Sequence, residues 1–377
     1  MVDLGLKMLL HDKVRLLTTV AGVAFAVTLV VVQVGLFAGI LSNASVTIDR
    51  TDADMWVTSK AVPNVDFAHP FPESYVQRVR SVPGVARADG LIVAFMDISL
   101  PSGVQEQLLT YALEDFARWK LPWRIESGRV EDLRGGRYLF LDASAEKRLG
   151  PFVAGDYREV RKQRVKVIGR TNEAVSFTTT PIAFMDYGLA QELMPDFLGG
   201  RCCYILIKLE PGADREAVRR EIARRLPHND VHTRDDWGSR SRDYWVSSTG
   251  IGFNMFLTVF LGCLVGGVVV AQTLYTSTME HLKEFGTVKA IGGSNADIYR
   301  ILGRQALIAA VVGFALGLVP PYAVQAALAA SASTLKVLIA PSFLVSVFAG
   351  TIVMCLLAAG LSFRKVALID PALVFRG

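Results

Sequence analysis

The stretch LLTTVAGVAFAVTLVVVQVGLFAGILSNASVTI, residues 16–48, contains no Asp, Glu, Lys, Arg or His. A helix that crosses roughly 30 Å of hydrocarbon needs about 20 residues, so this run is long enough to span a bilayer. Three further runs lack the same five residue types, at 244–279, 305–335 and 337–363. The sequence therefore predicts four transmembrane helices, at 16–48, 244–279, 305–330 and 342–363, with a short periplasmic turn at 331–341.

Two other interpretations of these runs stay open. Each run could be a buried core helix of a large soluble domain, although uncharged runs longer than roughly 18 residues are hard to bury in any other way. For the first run, a cleaved signal peptide is the second alternative, because SNA at 42–44 is a weak cleavage-like sequence. The length of that run exceeds the apolar region of a usual signal peptide and favours a transmembrane helix.

Lys and Arg residues beside the spans predict the orientation, because positive residues stay on the cytoplasmic side. The short flanks on one side carry Lys7, Lys13, Arg15, Lys283, Lys289, Arg300, Arg304, Arg364, Lys365 and Arg376. The turn between the third and fourth spans carries only Lys336. We therefore expect a multi-pass protein of the bacterial inner (cytoplasmic) membrane. Its cytoplasmic parts are residues 1–15, 280–304 and 364–377, and its periplasmic domain is 49–243.

The basic character of the chain has a simple source. The formal net charge is +5, but residues 49–243 hold 29 basic and 29 acidic residues, a difference of zero. The excess therefore lies at the membrane rims, where it is expected to attract anionic lipid headgroups. Membrane lipids are the predicted partner of this charge, and no nucleic acid is needed to explain it.

The segment 49–243 has the pattern of a mixed α/β domain. Two passages each show a short amphipathic helix followed by proline and a strand, PESYVQRVRSVPGVARADGLIVAFMDISL from Pro72 and DREAVRREIARRLPHNDVHT from Asp214. Their predicted buried faces are Tyr75, Val76, Val79 and Val82 in the first, and Ala217, Val218, Ile222 and Leu226 in the second. With Asp214 as a predicted N-cap, the passages indicate a weak internal repeat. The predicted fold class is a membrane protein with four transmembrane α-helices and a large mixed α/β extracytoplasmic domain inserted between helices 1 and 2.

The external segment shows no catalytic or metal-binding pattern. Its histidines, at positions 69, 228 and 232, lack a nearby nucleophile and an orienting group, which favours polar surface or core roles. Cys202 and Cys203 are predicted to be thiols on opposite faces of a strand, with an intermolecular disulfide as the alternative. Because no CxxC or Cys/His spacing occurs, no metal site is expected.

The stretch EHLKEFGTVKAIGGSNADIY, residues 280–299, connects the second and third spans. We expect a helix that ends at Gly292 and Gly293, since glycine tolerates a left-handed backbone. Ser294 and Asp297 have capping-box spacing for a new helix that runs into the third span. A short amphipathic helix with a glycine break has the form of a docking element, and an interfacial helix lying on lipid is the alternative.

This connection resembles a known family. The passage EFGTVKAIGGSN is similar to the cytoplasmic loop signature of the four-span, mechanotransmitting MacB/FtsX-type permeases of ABC transporters. HDKVRLLTTVAGVAFAVTLVVVQVGL, DYWVSSTGIGF, LYTSTMEHLKEFGTVKAIGGSN and DPALVF are similar to the DevC-type branch, whose members export glycolipid-like or other amphiphilic cargo. The resemblance covers nearly the whole chain, although it matches the external domain mainly by size and position.

The resemblance implies a permease subunit that is not itself an enzyme. Such a subunit forms a homodimer or a dimer with a related permease, binds two copies of a separate ABC ATPase, and works with a periplasmic adaptor and an outer-membrane channel. The chain has no GxxxxGK[ST] motif, so ATP and magnesium are expected on the ATPase and no cofactor on this chain. The residues implied to contact or support the ATPase are Glu280, Glu284, Phe285, Gly286, Lys289, Ala290, Ile291, Gly292 and Ser294.

Glycine spacing within the spans predicts close helix packing. Three pairs have GxxxG spacing, which lets helix backbones approach, namely Gly35 and Gly39, Gly262 and Gly266, and Gly313 and Gly317. Glycine is frequent in membrane helices, so part of these pairs can be incidental. Pro320 and Pro321 are predicted to end or kink the third span.

Two functions stay open from the sequence. The first is an efflux permease whose external domain is moved by ATP hydrolysis on the partner. The second is a non-transporting signalling scaffold whose motion activates a cell-wall hydrolase. The matches to the DevC-type branch favour export. A sensor receptor is a third class, but the cytoplasmic segments are too short to hold an output domain.

Overall fold

The computed structural model describes residues 13–100, 103–178, 180–281, 284, 286–287, 294–330 and 335–367. Within these ranges, four helical segments are long and apolar enough to cross a membrane, as the sequence predicts. Their helices run over Lys13–Asn43, Ile251–Glu280, Asn295–Gly317 with Val319–Ala330, and Pro341–Ala367. The backbone divides into two compact units. One contains most of these helical residues, and the other contains residues 40–252, including the last residues of the first helix and the first residues of the second.

Two membrane boundaries differ from the predicted ones. The first helix ends at Asn43 rather than at residue 48, and a short helix, Val46–Arg50, buries Ile48 in the core of the external domain. The second helix begins at Ile251 rather than at 244, because Tyr244–Ser248 is a π-helical turn that buries Trp245 in the external unit. A lack of charge marks both lipid-facing and core-facing residues, so it could not separate them.

The third and fourth membrane segments also depart in detail. The third begins at Asn295, where Ser294 caps it, and is interrupted at Leu318 just before Pro320 and Pro321. Proline cannot donate a helical hydrogen bond and crowds the preceding turn, which explains the break. The fourth begins at Pro341, a favourable residue for the first turn of a helix.

The described part of the external domain contains twelve strands and several short helices. The strands are β1 Met55–Ser59, β2 Phe71–Pro72, β3 Val85–Ser99, β4 Gln105–Leu113, β5 Ile125–Ser127, β6 Tyr138–Asp142, β7 Tyr157–Val160, β8 Gln163–Thr171, β9 Ile182–Asp186, β10 Arg201–Cys202, β11 Tyr204–Leu209 and β12 Asn229–Thr233. The α-helices are Val46–Arg50, Ser74–Arg80, Glu146–Leu149, Tyr187–Leu193, Pro195–Leu198, Arg215–Arg225 and Arg234–Asp243. Short 3-10 turns occupy Ala117–Trp119, Val130–Leu133 and Ala143–Ala145.

The predicted internal repeat is confirmed as two interleaved units. Along the chain, the helix Ser74–Arg80 lies between β1 and β3, and the helix Arg215–Arg225 lies between β11 and β12. The four strands lie in the order β12-β1-β11-β3, with antiparallel neighbours throughout. This is a split β-α-β arrangement. Strands β4 to β10 form an insertion between its two halves.

That insertion closes on itself. The second half of β3 pairs with β4, and the pairing continues through β9, β6, β8 and β7 back to the end of β3. A closed ring leaves few exposed strand edges. Phe140 on β6 has no exposed surface, and a Cβ atom at Gly169 on the neighbouring β8 would overlap the Phe140 ring. Glycine is therefore required at that position by close approach.

Two predictions for individual residues are wrong. Ala217 is exposed, while Val218, Ile222 and Leu226 face the core. Cys202 and Cys203 do not lie on opposite faces of one strand, because Cys202 ends β10 in a separate two-stranded sheet and β11 begins only at Tyr204. Both cysteines are free and fully buried thiols.

Candidate coupling site

The connection between the second and third membrane helices carries the residues predicted to contact an ATPase. Glu280 ends the second helix and is exposed, and Glu284 is exposed while Gly286 is buried. The Nδ1 atom of His281 lies 2.9 Å from Oε2 of Glu284. The described part of the connection therefore presents two exposed acidic side chains. The other residues predicted here lie outside the described residues, namely Phe285, Lys289, Ala290, Ile291 and Gly292.

The capping box predicted at the start of the third helix is confirmed. The hydroxyl of Ser294 accepts from the backbone N–H of Asp297 at 3.3 Å, and the Asp297 carboxylate accepts from the backbone N–H of Ser294 at 3.0 Å. The same carboxylate accepts from the Ser294 hydroxyl at 2.7 Å. Two N–H groups that a helix start leaves without partners are thus satisfied, which fixes the point where the connection ends.

The first turns of the third helix are packed firmly against the other membrane helices. Ile298, Leu302 and Ala306 are buried in one cluster with Cys355 and Ala358 of the fourth helix. Gln305, one position before Ala306, is also buried, with 2% of its surface exposed. The start of the third helix is therefore buried within the membrane unit.

The glycine pairs lie where the first membrane helix meets its neighbours. An added Cβ at Gly262 would stand 2.7 Å from Leu29, one at Gly313 2.6 Å from Val23, and one at Gly317 2.8 Å from Val27. A Cβ at Gly266 would overlap Ala26, and Cβ atoms at Gly35 and Gly39 would meet Val337 and the Lys336 carbonyl. All six glycines thus lie at close contacts of the first helix, which packs on the second and third.

A hydroxyl in the first helix compensates the break in the third. Pro321 has no N–H to bond the carbonyl of Gly317 four residues earlier. The Thr28 hydroxyl donates to that carbonyl at 2.9 Å. An unsatisfied carbonyl inside a bilayer is costly, so this contact ties the kink to the first helix. Sequence reasoning missed Thr28, because its partner lies far away in the chain.

A charged contact joins the two segments that lead from the external domain to the first and second membrane helices. Nη1 of Arg242 donates to the Ser45 hydroxyl at 2.7 Å and lies 3.6 Å from Asp49. The Ser45 hydroxyl donates in turn to Asp49 at 2.7 Å. Ser45 follows the first membrane helix by two residues, and Arg242 precedes the second by nine. The two segments are therefore held to each other.

Aromatic side chains form a second contact among the same segments. The rings of Phe177 and Trp245 stack with centroids 3.9 Å apart and an angle of 15°. Phe67 packs against Trp245 and Tyr244 at 5.9 and 6.1 Å, and Ala44 is buried in the same cluster. Phe177 belongs to the loop between β8 and β9, so the ring of strands is joined to both segments. We call the residues of these two contacts the stalk junction: Ala44, Ser45, Asp49, Phe67, Phe177, Arg242, Tyr244 and Trp245.

Charges also anchor the first strand just beyond the junction. Lys208 Nζ lies 2.8 Å from Asp52 and 3.2 Å from Asp54, and Arg87 lies 3.2 Å from Asp52. The hydrogen bond from Lys208 lowers the pKa of Asp52, and the same bond raises the pKa of Lys208. The chain that leaves the first membrane helix is thus bound to β11 and β3 within a few residues.

The structure places the three histidines of the external domain at the surface or against an aromatic ring. His69 and His228 are exposed, and His232 stacks on Trp237 with ring centroids 5.1 Å apart. Burial lowers the pKa of His232, which favours the neutral imidazole of a core residue. Among the described residues, no three His, Cys, Asp or Glu side chains are grouped to hold a metal ion.

Family models match both units. The MacB-like periplasmic core domain matches residues 16–225, and the FtsX-like permease C-terminal domain matches residues 256–371. The chain belongs to the MacB/FtsX-like superfamily of ABC transporter permeases. Membership of this superfamily implies an ATPase partner in the transporter complex, and it agrees with a multi-pass membrane protein whose external domain is of the periplasmic type.

Individual relatives match most of the chain or about half of it. An uncharacterised ABC transporter permease of Mycobacterium bovis is 25% identical over 362 residues, which cover 94% of this chain and 93% of the relative. The macrolide export ATP-binding/permease protein MacB of Salmonella paratyphi A is 25% identical over 199 residues, which cover 50% of this chain and 30% of that protein.

Two solved structures are similar to the external domain. The extracellular domain of the ABC-type transporter YknZ from Gram-positive bacteria has a TM-score of 0.38 and 16% identity, covering 47% of this chain and 98% of that one. The periplasmic region of MacB from Actinobacillus actinomycetemcomitans has a TM-score of 0.37 and 11% identity, covering 50% and 92%.

Proposed function

We propose that this chain is the permease subunit of an ABC exporter of the DevC type. ATP hydrolysis by two copies of a separate ATPase moves the membrane helices, and the helices move the external domain. That movement drives an amphiphilic cargo, such as a glycolipid, another lipid or a peptide, through a periplasmic adaptor and an outer-membrane channel. The permease acts as a homodimer or with a related permease, in the inner membrane, with both termini in the cytoplasm.

The observation that carries this proposal is the stalk junction. A domain that only binds a ligand can hang from its membrane helices by loose linkers. Here Arg242 holds Ser45, and Trp245 stacks on Phe177, so both connecting segments are bound to each other and to the strands. Bistable or rigid packed elements are the means by which proteins transmit displacement. The junction therefore has the construction expected of a mechanical transmitter.

The cytoplasmic end of the same mechanism is the connection between the second and third helices. Its exposed acidic residues, Glu280 and Glu284, suit contact with basic residues of an ATPase, and the Ser294 cap gives the connection a fixed end. Closure of the ATPases would displace this connection. The displacement would pass into the buried start of the third helix at Ile298 and Leu302.

The first test is purification from native membranes in mild detergent through a tag at the carboxyl terminus, followed by partner identification and an ATPase assay. We expect an ATPase and an adaptor to co-purify, and both to be lost when Glu284, Phe285 and Gly286 are replaced together by alanine. Met279→Ala, at an exposed neighbouring position, is the control and should retain both. An ATPase with a cell-wall hydrolase and no adaptor would favour the signalling scaffold, and no ATPase at all would refute both functions.

A second test measures the movement itself. A spin label on Lys162→Cys, at an exposed hairpin turn of the external domain, reports the distance between two protomers. The exposed Cys263 is first replaced by alanine, while the buried cysteines stay. We expect the distance distribution to change when ATP is bound by the partner, and the change to be lost with Arg242→Ala. A distribution that ignores ATP would contradict mechanical transmission.

A further inference from the structure

An unpaired carboxyl group lies inside the external domain next to the stalk junction. Asp66, in the loop between β1 and β2, is 4% exposed. Its Oδ1 atom is 3.5 Å from the Tyr111 hydroxyl, at the limit of a hydrogen bond, and its Oδ2 atom has no hydrogen-bond partner. A buried ionised carboxylate with so few donors is costly, so the protonation state of this group is coupled to its packing.

The groups that face Asp66 supply no positive charge. They are the Tyr111 hydroxyl on β4, the Tyr204 hydroxyl on β11 and the backbone N–H of Phe177 in the loop between β8 and β9. Among the ion pairs of the described residues, none includes Asp66. Burial raises the pKa of Asp66 to about 7, against the weaker opposing effects of the Phe177 amide and the Tyr111 hydroxyl.

The other buried carboxylates of the domain, Asp89 and Asp142, have hydrogen-bond or ion-pair partners. Asp89 lies in an ion pair with Arg80 and accepts from Nε1 of Trp119 at 2.9 Å. Asp142 accepts from the backbone N–H groups of Ser144 and Ala174 and from the Thr171 hydroxyl. Buried polar groups normally have such partners. The poor hydrogen bonding of Asp66 is therefore specific to its place.

That place lies between the two segments that lead to the membrane helices. On one side, Tyr111 also faces the side chain of Thr47, four residues beyond the end of the first membrane helix. On the other side, Phe177, whose amide faces Asp66, stacks its ring on Trp245, six residues before the second membrane helix. The carboxyl group thus belongs to a continuous series of contacts, Thr47–Tyr111–Asp66–Phe177–Trp245.

We propose that Asp66 is a protonation-sensitive latch of the stalk junction. The neutral acid keeps the series of contacts packed, and the ionised carboxylate loosens it, because the charge then requires water or new donors. The folded junction binds the proton more tightly than an unfolded chain, since the pKa is raised from 3.8 to about 7. Its contribution to stability is therefore fully present below about pH 4 and is lost as the pH rises through about 7. An external domain would in this way respond to the pH outside the cytoplasm.

The test follows Trp245 in the full-length protein in lipid nanodiscs, labelled with 5-fluorotryptophan and studied by ¹⁹F NMR. The Trp245 resonance is assigned as the one missing in Trp245→Phe. In the wild type we expect it to shift with a midpoint near pH 7, and in Asp66→Asn, which stays neutral at every pH, the shift should vanish. Asp89→Asn is the control, because it removes a paired carboxylate and should leave the titration of Trp245 unchanged.

A second variant keeps the proposal testable if Asp66→Asn does not fold. Tyr111→Phe removes a hydroxyl that favours the ionised form, so the midpoint should move to higher pH while the shift itself persists. A Trp245 resonance that does not titrate in the wild type, that titrates unchanged in Asp66→Asn, or that keeps its midpoint in Tyr111→Phe would overturn the proposal. The measurement involves neither ATPase nor cargo, so its outcome is independent of the proposed function.

Discussion

The core of the external domain and the core of the membrane helices are built from different kinds of side chain. The domain core contains large, fully buried rings, among them Trp56, Trp119, Trp237, Tyr111, Phe140 and Phe184. The buried cluster of the membrane helices contains no aromatic ring among the described residues: its members are Val, Leu, Ile, Ala and Cys, and glycines make close contacts with the first helix. In water, burial of large apolar surface drives packing. Lipid is as apolar as Leu, so membrane helices gain instead from close approach, and the two units should respond oppositely to changes in side-chain size.

The largest expected effect is the loss of a ring from the external core. Phe140→Ala should lower the free energy of unfolding of the external domain by about 3–5 kcal/mol, through lost burial and the cavity left in the core. Denaturant unfolding of the full chain in detergent, followed by tryptophan fluorescence, measures this. The matched control is Phe260→Ala in the second membrane helix, where the ring is 51% exposed. The comparison fails if both truncations cost the same.

In the membrane unit the damaging change is the addition of a methyl group. Gly313→Ala places a Cβ 2.6 Å from Val23, and overpacking of this kind typically costs about 1–3 kcal/mol. Gly350→Ala in the fourth helix is the control, because nothing lies within 4 Å of its Cβ position, and alanine there should be neutral or stabilising. Thermal unfolding in detergent distinguishes the two. Equal effects at both positions would mean that close packing at Gly313 does not matter.

The glycines also show how much of the helix packing could be predicted from the sequence. Spacing alone identified Gly262, Gly266, Gly313 and Gly317, because a GxxxG pattern is local. It could not name Val23 or Ala26 as their partners, since lipid-facing and protein-facing apolar residues look alike in one sequence. The topology of the external domain was likewise predictable only where the pattern is local. The repeated helix–proline–strand pattern predicted two units, whereas the closed ring between them depends on pairings between distant strands.

The next largest effect is expected at the kink in the third helix. Thr28→Val keeps the side-chain shape but removes the donor to the Gly317 carbonyl, and should cost about 1 kcal/mol, in the range of hydrogen bonds between membrane helices. Pro321→Ala supplies a backbone N–H for the same carbonyl. In that background Thr28→Val should cost little, and a double-mutant cycle of thermal unfolding measures the difference. A cost that is unchanged by Pro321→Ala would show that the hydroxyl acts in another way.

In the candidate site too, contacts between residues close in the sequence were predictable, and contacts between distant residues were not. The Ser294 cap was predictable because Ser and Asp three residues apart form it by themselves. The stalk junction was not, because Ser45, Phe177 and Arg242 are far apart in the chain. Trp245 lies in an uncharged run that sequence assigned to the membrane, and only its stack on Phe177 places it in the external domain.

The smallest effect is expected at that cap, and it tests whether the connection needs a fixed end. Ser294→Ala should cost about 1 kcal/mol of helix stability, seen as faster hydrogen exchange over residues 295–300 in the full-length protein. Ser346→Ala is the control, since its hydroxyl only bonds the carbonyl one turn earlier inside the fourth helix. Because Ile298 and Leu302 hold the next turns in the membrane core, fraying should stop there. Exchange that spreads beyond Leu302 would mean that the cap, rather than packing, holds the third helix in place.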